Sequence, residues 1–66
     1  MGYEFWLSDL QRALNAFEKE RGDLATRIVS VSGTFFGNIN FHLKDGRVFQ
    51  WSFIDDSIEV IGNWRE

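Results

Sequence analysis

From Ser8 onward the apolar positions recur at helical spacing. Leu10, Ala13, Leu14 and Phe17 fall at i, i+3, i+4 and i+7, with Arg12, Asn15, Glu18 and Lys19 between them. That spacing predicts an amphipathic helix with one stripe to bury. Ser8-Asp9-Leu10-Gln11 has the residue types of a capping box, in which the Ser8 hydroxyl accepts from the third helical amide and Gln11 reaches back, so the helix is expected to start there. Arg21 suits a last turn, and Gly22 is placed to take the left-handed conformation that ends a helix.

After Leu24 the pattern changes to β-branched and aromatic residues punctuated by glycine, which predicts strands near Ala25–Ser32, Thr34–Lys44 and Arg47–Ile54. Ser57-Ile58-Glu59-Val60-Ile61 favours a short fourth strand, although Asp56 could cap a helical turn there instead; Gly62-Asn63 is expected to end either one.

The hairpin register follows from which faces are apolar. Phe35, Gly37, Ile39, Phe41 and Leu43 alternate with Thr34, Phe36, Asn38, Asn40 and His42, and in the next strand Phe49, Trp51 and Phe53 alternate with Gln50, Ser52 and Ile54. A two-residue Asp45-Gly46 turn would place the two apolar sets on opposite faces. A three-residue loop, Lys44-Asp45-Gly46 with Gly46 left-handed, pairs Phe41 with Phe49, Ile39 with Trp51 and Gly37 with Phe53, so that both sets share one face. The Phe53 ring is then expected to cover the gap at Gly37.

The helix stripe has that aromatic face as its partner. The expected fold is α+β, one N-terminal helix packed on a three- or four-stranded antiparallel β-meander, with residues 1–66 as a single domain. A chain this short needs a dense core, and its composition, 44% hydrophobic and 17% aromatic, supplies one. The absence of cysteine removes disulfides and thiolate metal ligands from consideration. The first residues lack the basic and apolar regions of a signal peptide, and no apolar run reaches membrane-spanning length, so the expected location is cytoplasmic.

Candidate chemistry is sparse. His42, the only histidine, falls on the outward side of the second strand beside Asn40 and Gln50, without the convergent ligands a metal needs or the nucleophile a base would serve. Asp55-Asp56-Ser57 has turn composition, and no glycine cluster precedes a helix as in a phosphate-cradling loop. No catalytic, cofactor-binding or metal site is expected, and the chain is read as not an enzyme. Sheet aromatics suggest base stacking, but no basic residues interleave them, so core packing is the stronger reading.

Formal charge is −3, and its placement matters more than its size. Residues 1–54 balance, whereas Asp55, Asp56, Glu59 and Glu66 face only Arg65. Such a run either solvates the surface or contacts a basic partner, with Glu18, Glu20 and Asp23 able to join it. Exposed carboxylates contribute little to folding, so reversing Asp55, Asp56 and Glu59 is expected to leave melting nearly intact. A second surface is the outer sheet face, where Asn38, Asn40, His42, Gln50 and Ser52 form a polar field flanked by Val29, Val31 and Phe36. Trp64, or Tyr3, Phe5 and Trp6, could instead fold over it.

Small size, acidity, lack of cysteine and a helix-plus-sheet build resemble the small acidic inhibitors that phages carry against bacterial defence, including the anti-CRISPR proteins. The resemblance implies a catalytically inert protein, acting in the cytoplasm of a bacterial host, that blocks a nucleic-acid-binding assembly. The corresponding expectation is a DNA-mimicking contact made by Asp55, Asp56 and Glu59, with Trp64 as an aromatic anchor. The partner would be a protein, with no direct nucleic-acid contact, no membrane and no cofactor, and the chain a monomer rather than a dimer. The alternative is a self-associating or adaptor protein that uses the outer sheet face.

Overall fold

The computed structural model describes residues 4–65. Met1, Gly2, Tyr3 and Glu66 lie outside the described residues, and with them part of the signal-peptide reading, the Tyr3 cover and the Glu66 share of the C-terminal charge. Helix α1 spans Leu7–Arg21 and runs directly into a 3-10 helix at Gly22–Arg27. Four strands follow: β1 Ile28–Gly33, β2 Ile39–Leu43, β3 Arg47–Trp51 and β4 Ile58–Asn63. They pair antiparallel in the order β1-β2-β3-β4, and α1 lies across one face, so the α+β meander is the fold, with the fourth segment a strand.

Ala13 and Phe17 of α1 are fully buried against Ile39, Phe41, Leu43, Phe49 and Trp51, while Leu10 and Leu14 pack at the edge of that cluster. The Phe17 ring sits 5.2 Å from Phe41 and meets Phe49 edge-on at 5.3 Å, a favoured aromatic geometry. The β2–β3 register is the one the apolar faces required, Ile39 opposite Trp51 and Phe41 opposite Phe49, closed by Lys44-Asp45-Gly46 with Gly46 at φ 105°.

Several boundaries differ from expectation. The capping box does not form: α1 begins one residue before Ser8, its N-cap is Trp6, and no side chain caps it. Gly22 is right-handed, at φ −57°, and continues the coil. Glycine permits the left-handed region without enforcing it, and the 3-10 turn carries Leu24 into the core, an outcome that a helix stop at Gly22 would forfeit. The strands are also shorter than predicted. Residues 34–38 form a turn in which Asn38 N donates to the Thr34 hydroxyl and Gly37 takes φ 90°. Residues 52–57 form another, closed by Ser52 N to Ser57 O and Asp56 N to Ser52 O. Phe53 is therefore not a core residue, although its ring does lie over the missing side chain of Gly37, 3.3 Å from where a Cβ would stand.

Each edge strand carries a bulge. In β1 the irregularity between Ile28 and Ser30 leaves Ile28 opposite Leu43 and Val31 opposite Phe41, so Val31 faces the core and does not flank the outer face as expected. In β4 the shift lies at Ile61, and pairing continues through Gly62 to Asn63, past the predicted stop.

Candidate functional site

An antiparallel meander puts alternate loops at the same end. The turns at 34–38 and 52–57 accordingly meet the first turn of α1 at one end of the molecule, the loop end; the β2–β3 loop and the exit of β4 form the opposite, hairpin end. Phe5, Trp6, Gly37 and Phe53 line a groove of about 380 Å³ at the loop end, with Glu4 and Asp9 beside it. Of the ten large hydrophobic residues exposed among the described residues, six belong to this end: Trp6, Leu7, Phe35, Phe36, Phe53 and Ile54. Trp6 is 77%, Phe36 76% and Ile54 80% exposed. Phe35 and Phe36 meet edge-on at 5.3 Å.

One polar cluster holds this end together. The fully buried Trp51 donates its indole N–H to Asp56 Oδ1 at 3.0 Å. The Arg12 guanidinium lies 5.2 Å over the same ring and donates to both Asp56 carboxylate oxygens, at 3.1 and 3.3 Å, and to Phe53 O at 3.4 Å. Asp56 is left-handed at φ 58°, a conformation that Asp tolerates better than most residues because its side chain hydrogen-bonds locally. The ion pair is half exposed and contributes modestly on its own. The indole bond matters more, since a buried N–H left without an acceptor costs about 1–3 kcal/mol.

The four residues expected to meet a partner are thus separated. Asp55 and Asp56 share the β3–β4 turn, and Glu20, Arg12 and Lys19 join them along a groove of about 450 Å³; Glu18 and Asp23 do not line it. Hydrogen bonds from Ser57, first its hydroxyl and then its amide, hold the Asp55 carboxyl below the usual carboxylate range. Glu59, opposite Gln50, stands on the outer sheet face near the loop end. Trp64 lies beyond the far end of β4, where its indole donates to Leu43 O at 2.7 Å and its amide to Gly46 O at 2.8 Å. A strand of this length spans about 20 Å, so Trp64 and Asp55 do not form one contact surface.

The outer face is also less open than expected. Gln50 Nε2 donates to Asn40 Oδ1 at 3.1 Å, Asn38 Oδ1 accepts from Phe53 N at 3.4 Å, and the Ser52 hydroxyl accepts from Ile54 N at 3.4 Å. His42, on the outward side of β2, is half-buried, with Nδ1 enclosed and without a hydrogen-bond partner. Among the described residues no group of three or more His, Asp or Glu converges as a metal site, and no helix is long and apolar enough to cross a membrane.

Sequence reasoning missed Trp6, Leu7 and Ile54 as surface residues and Arg12 as the clamp on Asp56. A partial signal was present. Leu7 continues the helical stripe at the helix's first residue, and the adjacent Phe35 and Phe36 cannot both enter a one-sided core. Compared with known proteins, the chain matches no family model, no curated protein and no solved structure.

Proposed function

We propose that this chain is a non-catalytic, cytoplasmic binding protein of the inhibitory kind, which occupies the nucleic-acid-binding surface of a protein partner with its loop end. The observation that carries the reading is the loop end itself, an apolar centre rimmed by carboxylates. Trp6, Leu7, Phe36, Phe53 and Ile54 form the centre; Glu4, Asp9 and Asp55 form the rim, where Arg12 is committed to Asp56 and Lys19 is offset by Glu20 in the groove beside Asp55. At roughly 150–250 Å² per aromatic side chain, the centre exposes on the order of 700 Å², close to the roughly 800 Å² that each partner contributes to a standard interface. An apolar centre with a charged rim is the usual anatomy of such a contact, and an acidic rim selects a partner whose own rim is basic. Surfaces that bind nucleic acid by stacking and phosphate contact have that composition. The anti-CRISPR resemblance fits this reading, with Asp55 retained as a contact, Asp56 reassigned to the fold and Trp64 to the hairpin end.

A monomer suits the bulges of β1 and β4, which discourage pairing between edge strands. The test is competition: a nucleic-acid-binding protein captured on the wild-type chain should release its labelled strand when the chain is added. Phe36→Ser with Ile54→Ser should lose that effect at least tenfold while melting as wild type, and Asp9→Lys with Asp55→Lys should weaken it most at low salt. Undiminished competition by both double variants would remove the loop end from the contact. Sedimentation at twice the mass of one chain would favour the second reading, self-association through the outer face, where Asn40, His42, Gln50 and Glu59 have no helix above them.

A further inference from the structure

The hairpin end has the opposite charge. Arg27 closes the 3-10 helix, Lys44 opens the β2–β3 loop and Arg65 follows β4, and the three surround a groove of about 570 Å³ with Thr26, Val29 and Asp45. The groove's one carboxylate is already engaged. Asp45 Oδ1 accepts from Arg47 N at 3.0 Å, and Oδ2 from Arg47 Nε at 2.9 Å and Nη2 at 2.7 Å. Arg27, Lys44 and Arg65 make no ion pair among the described residues, and Asp45, whose oxygens are taken by Arg47, reaches Arg27 only through space. Arg65 is also held in place, since its Nη1 donates to Lys44 O at 3.2 Å and its amide to Asn63 Oδ1 at 2.9 Å. A guanidinium anchored in this way has less freedom to lose on binding a ligand.

We propose that this groove binds a phosphate group, with the guanidinium groups of Arg27 and Arg65 donating to its oxygens, Lys44 acting as a point charge and the Thr26 hydroxyl donating at the rim. Three gathered cations repel one another unless something anionic joins them, and a phosphate monoester, with a charge of about −1.5 to −2 at neutral pH, answers most of that charge with one group. An overall charge of −3 disfavours phosphate contact. The fold offsets that balance locally, because it carries Glu4, Asp9 and Asp55 to one end and Arg27, Lys44 and Arg65 to the other. The site stands apart from the loop end and does not depend on the function proposed for it. A nucleic-acid strand and a small free molecule both offer such a phosphate, and two probes separate them.

The experiment is amide-resolved NMR of the full chain, titrated with inorganic phosphate against chloride at equal ionic strength. Saturable shifts are expected at Thr26, Arg27, Lys44 and Arg65, and binding should weaken at least tenfold in the Arg27→Gln, Lys44→Gln double variant. The melt of that variant should match wild type, because neither side chain bonds to another described residue. A short single-stranded oligodeoxynucleotide is the second probe. Binding at the same amides at least tenfold tighter than phosphate, with a log–log salt slope of about −2 for three neutralised phosphates, assigns the site to a strand. Strand binding no tighter than phosphate assigns it to a small free phosphate. No saturable shift with either probe, or an unchanged affinity in the double variant, overturns the proposal.

Discussion

Both ends of this molecule are tied by a tryptophan indole, and they are tied differently. At the loop end the donor is Trp51, fully buried, and its acceptor is the Asp56 carboxylate, itself clamped by Arg12 from α1. At the hairpin end the donor is Trp64, 48% exposed, and its acceptor is a backbone carbonyl that also receives the Gly46 amide. The first tie joins helix, core and turn, so its loss spreads; the second fastens only the chain end to a hairpin that its own loop already closes. A charged group at a surface can therefore be structural at one end and available for binding at the other, depending on what lies beneath it.

The largest expected effect tests the deeper tie. Trp51→Ala should cost about 3–5 kcal/mol, combining a cavity with the loss of the Asp56 donor, and in a domain this small the urea melt could show no folded baseline. Leu14→Ala, which truncates a half-buried residue, should cost about 2 kcal/mol. Equal losses would mean that the Trp51 cluster has no special weight.

Next comes Gly46→Val, at about 2–4 kcal/mol. A β-branched residue resists φ 105° by about 1–2 kcal/mol, and its Cβ would meet the Asn63 side chain. Lys44→Val, in the same loop, should stay within about 0.5 kcal/mol. Similar melts for the two would count against the left-handed position as the reason for the loop.

Asp56→Ala should cost about 1–3 kcal/mol by leaving the Trp51 N–H without its acceptor, and Asp56→Asn, which keeps an amide oxygen and tolerates the left-handed region, should cost less. Reversing Asp55, Asp56 and Glu59 together will therefore disturb folding, contrary to the expectation from charge alone. Trp64→Phe should cost only about 0.5–1.5 kcal/mol, one hydrogen bond whose acceptor keeps a second donor. If Trp64→Phe proved the more damaging of these two, the ranking of the ends would invert.

The smallest effect is on the acid limb. Hydrogen bonds from the Arg47 side chain and amide lower Asp45, and those from Ser57 lower Asp55, each from an ordinary value of 3.8. A carboxyl lowered in the folded state contributes stability above its unfolded value, and that contribution disappears as pH falls through the folded one. Asp45→Asn and Asp55→Asn should accordingly melt slightly below wild type at neutral pH and converge with it in acid below 3.8. A gap that persisted in acid would assign the loss to geometry instead of charge.

Much of the fold could be read along the chain because local rules and global packing agree there. The stripe through Ala13 and Phe17 and the alternation through Ile39, Phe41, Phe49 and Trp51 each demanded one face, and only the three-residue loop at Gly46 satisfied both. Less of the candidate site was readable. Asp55, Asp56 and Glu59 were singled out by charge, but nothing local distinguishes a carboxylate that solvates from one that accepts a buried indole N–H. Arg12, forty-four residues from Asp56, gives no sign in its own neighbourhood that it closes that cluster.

By itself the sequence determined the helix stripe, the hairpin register, the sheet's apolar face and the α+β build, because periodicity and loop length act between near neighbours. Tertiary structure alone decided that Gly22 continues a coil to bury Leu24, that Asp56 belongs to the fold, that Trp64 is remote from Asp55, and that Glu4, Asp9 and Asp55 stand at one end while Arg27, Lys44 and Arg65 gather at the other. Each of these depends on which distant segment arrives beside a residue, and a meander settles that by folding loops onto alternate ends, which no local pattern records.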